Sequence, residues 1–405
     1  MRDVRSGLRD LLLDLFHQGL MAVDGRSVVR AWLKAHPPKP GYRLVALGKA
    51  AAAMAAGALD AAAPGLGAGL VVTRHGFLDT QVLDDRRITA LEAGHPLPDA
   101  HSLAAGDALL RFLQAAPADA EFLFLVSGGT SSIVEVPVEG VSLDNLRQLN
   151  TWLLGSGLPI SAINRVRAGL SRIKAGRLAE HLQGRRATLL LISDVPGDVL
   201  SDIGSGLLSS PAVRALPALP ARFAGLPFQP PMSAASRVEA YVIASNSQAR
   251  VAVVAAAQAA GQKAYLHPML PAVDAVECGR ALGRTLLEGE PGVYVWGGET
   301  TVKLPENPGR GGRNQHLALA AAEVLSGHDD AWLLAAGTDG NDGVTDDAGA
   351  LVDGGSLARG EAGGYDASDC LRRADAGAFL EASGDLIYTG PTGTNVMDLM
   401  IGYKA

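Results

Sequence analysis

The sequence predicts an α/β protein with two domains and largely parallel sheets. Three observations lead to this fold class. The chain has 405 residues, more than one hydrophobic core usually serves. Short apolar runs alternate with longer stretches rich in alanine and leucine, as expected where strands alternate with helices. The runs are apolar at every position, not at every second one, which is typical of strands buried on both faces of a parallel sheet.

The elements can be predicted in chain order. A helix opens the chain, because apolar residues at positions 8, 11, 12, 15 and 16 recur at helical spacing. A second helix is expected over the alanine-rich stretch that follows the first strand. A third is expected to begin at Asn314, a fair N-cap. Eight apolar runs are predicted strands: residues 42–47, 69–73, 121–126, 188–192, 241–244, 293–296, 331–336 and 385–388.

The domain boundary is predicted in residues 216–236, where repeated prolines forbid a regular helix or a central strand. The first predicted domain therefore covers residues 1–232 and the second covers residues 233–405.

Composition and charge exclude several classes of protein. With 48% hydrophobic and 19% charged residues, the chain is typical of a globular protein. A net charge of −7 argues against a nucleic acid or an anionic membrane as partner, since both favour an excess of Lys and Arg. No targeting segment and no apolar run long enough to span a bilayer is found, so we expect a cytoplasmic protein. The two cysteines, Cys278 and Cys370, are expected to be buried and reduced.

Ligands of parallel sheets bind beyond the carboxyl ends of the strands, so the residues after each predicted strand are candidates for a site. Lys49 follows the first strand, in the first turn of the next predicted helix. The helix dipole disfavours a cation there unless an anion binds, which leaves an anion-binding lysine and a surface lysine both open. Arg313 is a second cation at a predicted helix N-terminus and follows glycine-rich backbone. A cation at a predicted helix N-terminus thus occurs twice, at Lys49 and at Arg313, which favours an anion site.

The predicted strand 121–126 ends in the turn SGGTSS, residues 127–132. The turn is neither a Walker A loop nor a nucleophile elbow nor a dinucleotide fingerprint, because the residues that these motifs require are absent. Its two glycines allow close backbone approach, and its N–H and O–H groups can hold an anion; a plain strand-to-helix turn is the alternative. We expect phosphate or substrate contacts from Ser127, Gly128, Gly129, Thr130 and Ser131.

Acidic residues follow two further predicted strands. Asp194, in the turn SDVPGD, is a candidate for a Mg²⁺ ligand or a general base, with a capping role as the alternative. The loop GTDGNDGVTDD, residues 337–347, carries Asp339 and Asp342. It is not an EF-hand, because Gly343 and Ala350 stand where oxygen ligands are required. A site for Mg²⁺ with phosphate, or for sugar hydroxyls, fits this loop better.

The turn EAGHPLPDAHS contains His95, Asp99 and His101. We do not predict a metal site there, because no cysteine accompanies the histidines and their spacing matches no zinc motif. Asp99 or Ser102 is expected to cap the next helix instead.

Several motifs, spread in order over nearly the whole chain, resemble the type II glycerate kinases. This glycerate 2-kinase family has a C-terminal part called the MOFRL domain. The most specific are GGETTVKLPENPGRGGRNQ and GTDGNDGVTDDAGA, and LVALGKAAAAMA, GHPLPDAHS, LVSGGTSSIVEVP, INRVRAGLSRIKAGRLA, ISDVPGD and YTGPTGTNVMDL add to them.

The resemblance implies phosphorylation of D-glycerate to 2-phosphoglycerate with ATP and Mg²⁺. It implies an N-terminal Rossmann-like domain with a mostly parallel sheet, a C-terminal α/β domain of the MOFRL type, and an active site in the cleft between them. The family's catalytic lysine and arginine correspond to Lys49 and Arg313. We expect Asp194 as a third catalytic residue or metal ligand, with Asp339 and Asp342 as further metal ligands. Further substrate or phosphate contacts are expected from Glu299, Gly312, Asn314, Thr338 and Asn341.

The chain departs from the family after Gly206, where a short connection replaces a Gly-Pro-Thr-containing loop and a longer segment. This departure leaves open a shifted acceptor or an impaired enzyme. An NAD(P)H-dependent hydroxypyruvate reductase is the alternative enzyme, although the chain lacks GxGxxG after a strand. A non-catalytic protein that binds sugar acids is the third class. We expect a monomer or homodimer that acts on a small molecule.

Overall fold

The computed structural model describes residues 4–78, 84–210, 214–230 and 238–405, which group into two units. The first unit comprises the described residues of 24–244 together with 393–395. The second comprises those of 1–23, 245–392 and 396–405. The first helix, α1 (Val4–Ala22), thus belongs with the C-terminal residues, which the predicted division did not foresee. The predicted boundary between residues 232 and 233 lies outside the described residues.

The first unit is built on a six-stranded parallel sheet in the order β3-β2-β1-β4-β5-β6. This order is that of the dinucleotide-binding α/β fold, in which a crevice forms between β1 and β4 where the strand order reverses. The predicted Rossmann-like sheet is confirmed. The strands are β1 (Tyr42–Leu47), β2 (Leu66–Arg74), β3 (Ile88–Ala93), β4 (Phe122–Val126), β5 (Ala187–Ile192) and β6 (Val238–Ala244).

Helices and short 3₁₀ turns connect these strands. Gly57 lets two of the helices approach closely, since a Cβ there would lie 2.2 Å from the Arg26 carbonyl oxygen. The α-helices are α2 (Gly25–Ala35), α3 (Ala51–Ala62), α4 (Ala100–Gln114), α5 (Thr130–Ile133), α6 (Leu143–Gly155) and α7 (Ile160–Gly169). The 3₁₀ turns are Ala63–Gly65, Arg177–Leu182, Pro196–Asp198, Ile203–Ser205 and Ala221–Phe223.

The second unit is built on a mixed six-stranded sheet in the order β11-β10-β9-β12-β8-β7. Its strands are β7 (Ala264–Leu266), β8 (Gly292–Gly298), β9 (Ala331–Gly337), β10 (Gly349–Asp353), β11 (Leu386–Ile387) and β12 (Asp398–Lys404). Its helices beside α1 are α8 (Asn246–Ala259), α9 (Ala275–Glu288), α10 (Arg313–Leu325), α11 (Ser356–Ala362), α12 (Ala367–Arg372) and α13 (Ala376–Ser383).

The two-domain α/β class is confirmed, but the expectation of parallel strands is wrong for the second sheet. Only β7 and β8 pair in parallel there, and the other neighbouring strands are antiparallel. The apolar runs of β8 and β9 are buried at every position, as predicted. Burial at every position shows that both faces of the sheet are covered, but it does not determine strand direction. Strand β12 lies between β8 and β9 and runs antiparallel to both.

Helix α1 packs within the second unit, against α8 and β12. A Cβ at Gly19 would lie 2.8 Å from Val253 Cγ2 and 3.1 Å from Leu399 Cδ1, so the glycine permits this close contact. Both cysteines are buried and unbonded, as expected. None of the described helices is long and apolar enough to cross a membrane.

Candidate functional site

In the first unit, two loops meet at the carboxyl ends of β1 and β4, where the strand order reverses. Gly48 has a φ of +115°, and a Cβ there would lie 2.4 Å from Ser127 Oγ, so this approach requires glycine. The backbone N–H of Lys49 donates to the Gly128 carbonyl at 2.9 Å, and that of Ala50 donates to Ser127 Oγ at 3.0 Å. The backbone of Lys49 is therefore fixed against the SGGTSS turn.

Lys49 lies just outside the next helix. Because α3 begins at Ala51 with Ala50 as its N-cap, the prediction that Lys49 belongs to the first helical turn is wrong. The lysine nevertheless remains next to the positive end of the α3 dipole, the feature on which the anion-site argument depends.

The SGGTSS turn uses two of its own hydroxyls to hold its shape. Thr130 Oγ1 donates to the Ser127 carbonyl at 2.7 Å, and Ser127 Oγ accepts the Ala50 N–H. Both side chains are buried. Ser131 Oγ lies 2.7 Å from Ser205 Oγ. The backbone of Gly128 and Gly129 is thus the part of the turn best placed to face a ligand.

Two side chains flank Gly129, which has a φ of +84°. A Cβ at this glycine would lie 3.1 Å from Lys49 Cγ and 3.0 Å from His95 Cδ2. The structure therefore brings His95 beside the candidate lysine. His95 was predicted only to lie in a turn, although its position after β3 places it at the same edge of the sheet.

Asp194 lies on the other side of the turn. A Cβ at Gly128 would lie 1.9 Å from Asp194 Oδ2 and 2.2 Å from Asn395 Nδ2, so only glycine fits. Asn395 Nδ2 donates to Asp194 Oδ2 at 3.2 Å. Asn395 was not predicted as a site residue. It ends a hydroxyl-rich turn, residues 389–395, and that turn was the sequence feature that could have indicated it.

A buried ion pair supports the turn from the segment that follows it. Glu135 accepts hydrogen bonds from Ser171 Oγ at 2.6 Å and from the Val136 N–H at 2.9 Å. Its other oxygen is paired with Lys174 Nζ, and the Lys174 side chain has no exposed surface. Burial lowers the pKa of Lys174, while the charge of Glu135 opposes this effect. The ion pair therefore joins the segment at Glu135, which follows the SGGTSS turn, to residues 171–174.

Ser205 links the segment that follows Lys174 to the SGGTSS turn. The Ala175 N–H donates to the Ser205 carbonyl at 3.0 Å, and Ser205 Oγ contacts both Ser131 and the Asn164 amide oxygen. The chain up to Gly206 is therefore part of the wall that positions the SGGTSS turn.

In the second unit, Arg313 is the centre of a cluster of charges. Its Nε and Nη2 atoms donate to the two oxygens of Asp398 at 2.5 and 2.9 Å, and Nη1 lies 2.8 Å from Glu299 Oε1. Burial alone would lower the pKa of Arg313, but the carboxylates of Asp398 and Glu299 raise it well above its usual value. Arg313 is thus a permanent cation. Three of its five N–H donors are directed at carboxylates, which leaves two for a ligand.

Asp342 caps helix α10. Its carboxylate accepts hydrogen bonds from the Gln315 N–H at 2.8 Å and from the Asn314 N–H at 3.1 Å. The helix begins at Arg313 with Gly312 as its N-cap, so the prediction of Asn314 as N-cap is wrong. Gly312 is required, because a Cβ there would lie 2.3 Å from Asp342 Cγ. Sequence reasoning missed this arrangement because the capping carboxylate comes from a distant loop.

The other predicted contacts of the second unit take part in its internal hydrogen bonds. Thr338 Oγ1 donates to the Met397 carbonyl at 2.6 Å and accepts from the Val396 N–H. Asn341 Nδ2 donates to the Thr345 carbonyl at 3.0 Å, and the Asn341 N–H donates to Asp339 Oδ1 at 3.2 Å. These contacts shape the acidic loop.

The buried carboxyl of Asp342 makes stability depend on pH. Burial raises its pKa to about 7, although Arg313 and the Gln315 N–H act in the opposite direction. Between about pH 4 and pH 7 the folded state therefore binds more protons than the unfolded state, so the free energy of unfolding falls as the pH rises. Asp342→Asn should remove this slope, on the order of 2–4 kcal/mol across the window.

Urea unfolding of the wild type and of Asp342→Asn at several pH values measures this difference. Asp346→Asn, in the same loop, is the matched control and should keep the slope of the wild type. Equal slopes for the wild type and Asp342→Asn would show that Asp342 ionises as readily in the folded state as in the unfolded state.

The first unit combines a dinucleotide-fold sheet with a lysine, a glycine turn and a carboxylate at its switch point. These features are typical of α/β enzymes that bind an anionic group beyond the carboxyl ends of their strands. Residues 11–218 match the domain of unknown function DUF4147, and residues 292–398 match the MOFRL family.

Full-length relatives narrow this class. The chain is 38% identical to the D-glycerate 2-kinase of Thermotoga maritima, with 98% of each chain covered. It is 37% identical to a putative hydroxypyruvate reductase of Agrobacterium vitis, over 96% of this chain and 93% of that protein. The crystal structure of glycerate kinase from Thermotoga maritima superposes with a TM-score of 0.84 at 34% identity, covering 99% of this chain and all of the other. The chain belongs to the glycerate 2-kinase family with a C-terminal MOFRL domain.

Proposed function

We propose that this protein is a kinase that transfers a phosphoryl group from ATP to the 2-hydroxyl of D-glycerate. The observation that carries the proposal is the position of Lys49, which is held beside the Gly128–Gly129 turn where β1 and β4 end. A cation and backbone N–H groups at such a switch point suit the charge of a phosphate group. The full-length likeness to a D-glycerate 2-kinase supports glycerate as the acceptor.

Phosphoryl transfer depends mainly on positioning and on neutralising the charge of the transferred group. We assign the neutralising role to Lys49 and the anchoring of the turn to Ser127 and Thr130. Asp194 and His95 lie against the same turn, on the sides of Gly128 and Gly129, and either can orient the acceptor hydroxyl or accept its proton.

We propose Asp194 as the Mg²⁺ ligand of the protein. Mg²⁺ bound with a nucleotide takes one or two carboxylates besides phosphate oxygens, and the Asp194 carboxylate lies directly against Gly128. When bound, the ion would neutralise phosphate charge. Asp339 and Asp342 stay predictions as further ligands. The capping hydrogen bonds of Asp342 make it the weaker candidate.

The role of Arg313 in the proposal is to hold a carboxylate or phosphate of the substrate. Its two remaining N–H donors are available for this contact, and Glu299, which is 43% exposed, is the partner that a ligand can displace. Asp398 has no exposed side-chain surface and keeps the guanidinium in place.

A hydroxypyruvate reductase is the competing function, since a relative carries that name and the strand order is that of dinucleotide-binding domains. Two features disfavour it. The loop after β1 contains Lys49 where a dinucleotide site has GxGxxG. The strand β2 ends at Arg74 followed by His75, where an NAD site has an acid for the ribose.

The product distinguishes the possibilities. The full chain is incubated with Mg-ATP and D-glycerate, and the product is passed to enolase, which accepts 2-phosphoglycerate directly. We expect phosphoenolpyruvate with enolase alone. A product that reacts only after a mutase is added would mean that the 3-hydroxyl is phosphorylated. Oxidation of NADH by hydroxypyruvate without ATP turnover would establish the reductase instead.

The role of Asp194 can be tested in the same assay. If it holds the metal, Asp194→Asn should raise the Mg²⁺ concentration needed for half-maximal rate at least tenfold, since a neutral amide binds Mg²⁺ more weakly than a carboxylate. If it is instead the general base, the variant should stay slow at saturating Mg²⁺ with a flattened pH–rate profile. Asp198→Asn, in the same turn, serves as the control. A variant that behaves like the wild type in both respects would leave Asp194 with a purely structural role.

A further inference from the structure

We propose that His75, Asp99 and His101 form a binding site for a late first-row divalent metal ion, with Zn²⁺ as the best-suited ion. The site is separate from the proposed Mg²⁺ site and does not depend on the proposed function. All three residues belong to the first unit.

The geometry of the three side chains supports this assignment. One ligand atom from each residue lies within 4.8 Å of the other two. His75 Nε2 lies 2.8 Å and His101 Nδ1 3.5 Å from the same oxygen, Asp99 Oδ2. Metal–ligand bonds of about 2.0–2.1 Å in a tetrahedral site place ligand atoms roughly 3.3 Å apart, which falls between these two distances. The third separation, between the two imidazole nitrogens, is no more than 4.8 Å, so side-chain rotations that close this gap would bring the three atoms around one ion.

The two oxygens of the Asp99 carboxylate make different contacts. Oδ1 accepts the Ser102 N–H at 2.9 Å, and the Asp99 N–H donates to Ser102 Oγ at 3.0 Å, so the two residues form a capping box at the start of α4. This confirms Asp99 as the predicted cap. Oδ2 is the oxygen that faces both imidazoles. The cap holds the carboxylate in place, so the ligand is oriented before any ion binds.

Backbone hydrogen bonds also hold the segments that carry the two histidines. The His75 N–H donates to the Ala93 carbonyl at 3.2 Å. Glu92 Oε1 accepts the N–H groups of Gly76 and Phe77 at 2.7 and 3.2 Å, which ties the residues directly after His75 to β3. His101 lies in the first turn of α4. The metal would thus join the end of β2 to the start of α4.

The donor set selects the kind of ion. Two imidazoles and one carboxylate suit Zn²⁺, Co²⁺ or Ni²⁺, whereas Mg²⁺ prefers oxygen ligands throughout. The His75 and His101 side chains are 51% and 69% exposed, so water can complete the coordination. The sequence did not reveal the site, because His75 is separated from Asp99 by 24 residues and comes from another loop. Residues 92–102 were therefore considered as a metal site without His75.

The test uses the full chain with Co²⁺ alone, without nucleotide, followed by visible absorption and by calorimetric titration with Zn²⁺. We expect one equivalent to bind in each case, with tetrahedral-type Co²⁺ bands. His75→Gln, His101→Gln and Asp99→Asn should each weaken binding at least tenfold. Asp99→Asn keeps the helix cap, because Asn is also a good N-cap. His36→Gln, another exposed histidine of the first unit, should bind like the wild type.

A second readout is thermal unfolding, in which Zn²⁺ should raise the Tm of the wild type and of His36→Gln but not of the three site variants. Kinase activity with Mg-ATP is not used as the measure. The proposal is overturned if the wild type binds neither ion. It is equally overturned if a variant with both His75→Gln and His101→Gln binds one equivalent as tightly as the wild type.

Discussion

Lys49→Ala should lower the kcat of glycerate phosphorylation by two or more orders of magnitude. Cations that neutralise the transferred phosphoryl group contribute about a thousandfold or more in phosphoryl-transfer enzymes. Lys49, which follows β1, is fixed through its backbone to the SGGTSS turn that follows β4. Its backbone hydrogen bond to Gly128 does not depend on the side chain. The free energy of unfolding should therefore change by less than about 1 kcal/mol, since a cation next to a helix N-terminus contributes little favourable energy.

Lys39→Ala is the matched control for this experiment. Lys39 precedes the same strand at its opposite end, is 72% exposed on its side chain, and lies 3.9 Å from Glu121. Its loss should leave kcat unchanged. If Lys49→Ala turned over at the rate of the wild type, the switch point would not be the place where the phosphoryl group is held.

Lys174→Met should destabilise the protein by about 3–5 kcal/mol, the usual cost of removing one member of a buried ion pair. The substitution leaves Glu135 buried with a charge whose remaining hydrogen bonds come from Ser171 and one backbone N–H, with Arg167 as a further cation that attracts it. Because the same segment holds Ser205 against the SGGTSS turn, we also expect a higher KM for glycerate or ATP. Denaturant unfolding and steady-state kinetics measure the two effects.

Two further variants interpret the result. Lys39→Met breaks an exposed pair and should cost about 0–1 kcal/mol. The double variant Glu135→Gln with Lys174→Met removes both buried charges and should recover most of the lost stability, even if Lys174→Met alone fails to fold. A double variant as unstable as Lys174→Met would mean that packing of the Lys174 chain matters, and that the charge of Glu135 does not.

Local patterns predicted the parts of the fold that local chemistry determines. The continuous apolar runs at β1, β4 and β5 indicated a sheet buried on both faces, and the first sheet is parallel as predicted. Parallel strands place their carboxyl ends on one edge, so listing the residues after each strand was enough to find Lys49, the SGGTSS turn and Asp194. Strands with less apolar sequences, β3, β7, β10 and β12, were missed.

Features that depend on distant segments could not be predicted in this way. Asp342 caps α10 from a loop 28 residues away, so Asn314 was taken as the cap from its position alone. Asn395 reaches Asp194 across 201 residues. Asp99 pairs with His75 from a loop 24 residues away, because the end of β2 and the start of α4 lie on the same edge of the sheet. Spacing along the chain contains no information on such pairs.

The position of α1 has a consequence for biosynthesis. This helix is synthesised before residues 24–244, yet Leu12, Leu15 and Phe16 are buried in a unit whose other members begin at residue 245. The residues that α1 contacts in β12 are translated later still, after both sheets are otherwise complete. Its apolar face must therefore stay uncovered while more than half of the chain is made, and the closure of this long loop comes late and at an entropic cost. A gene fragment that starts at residue 245 would encode the second unit without its first helix.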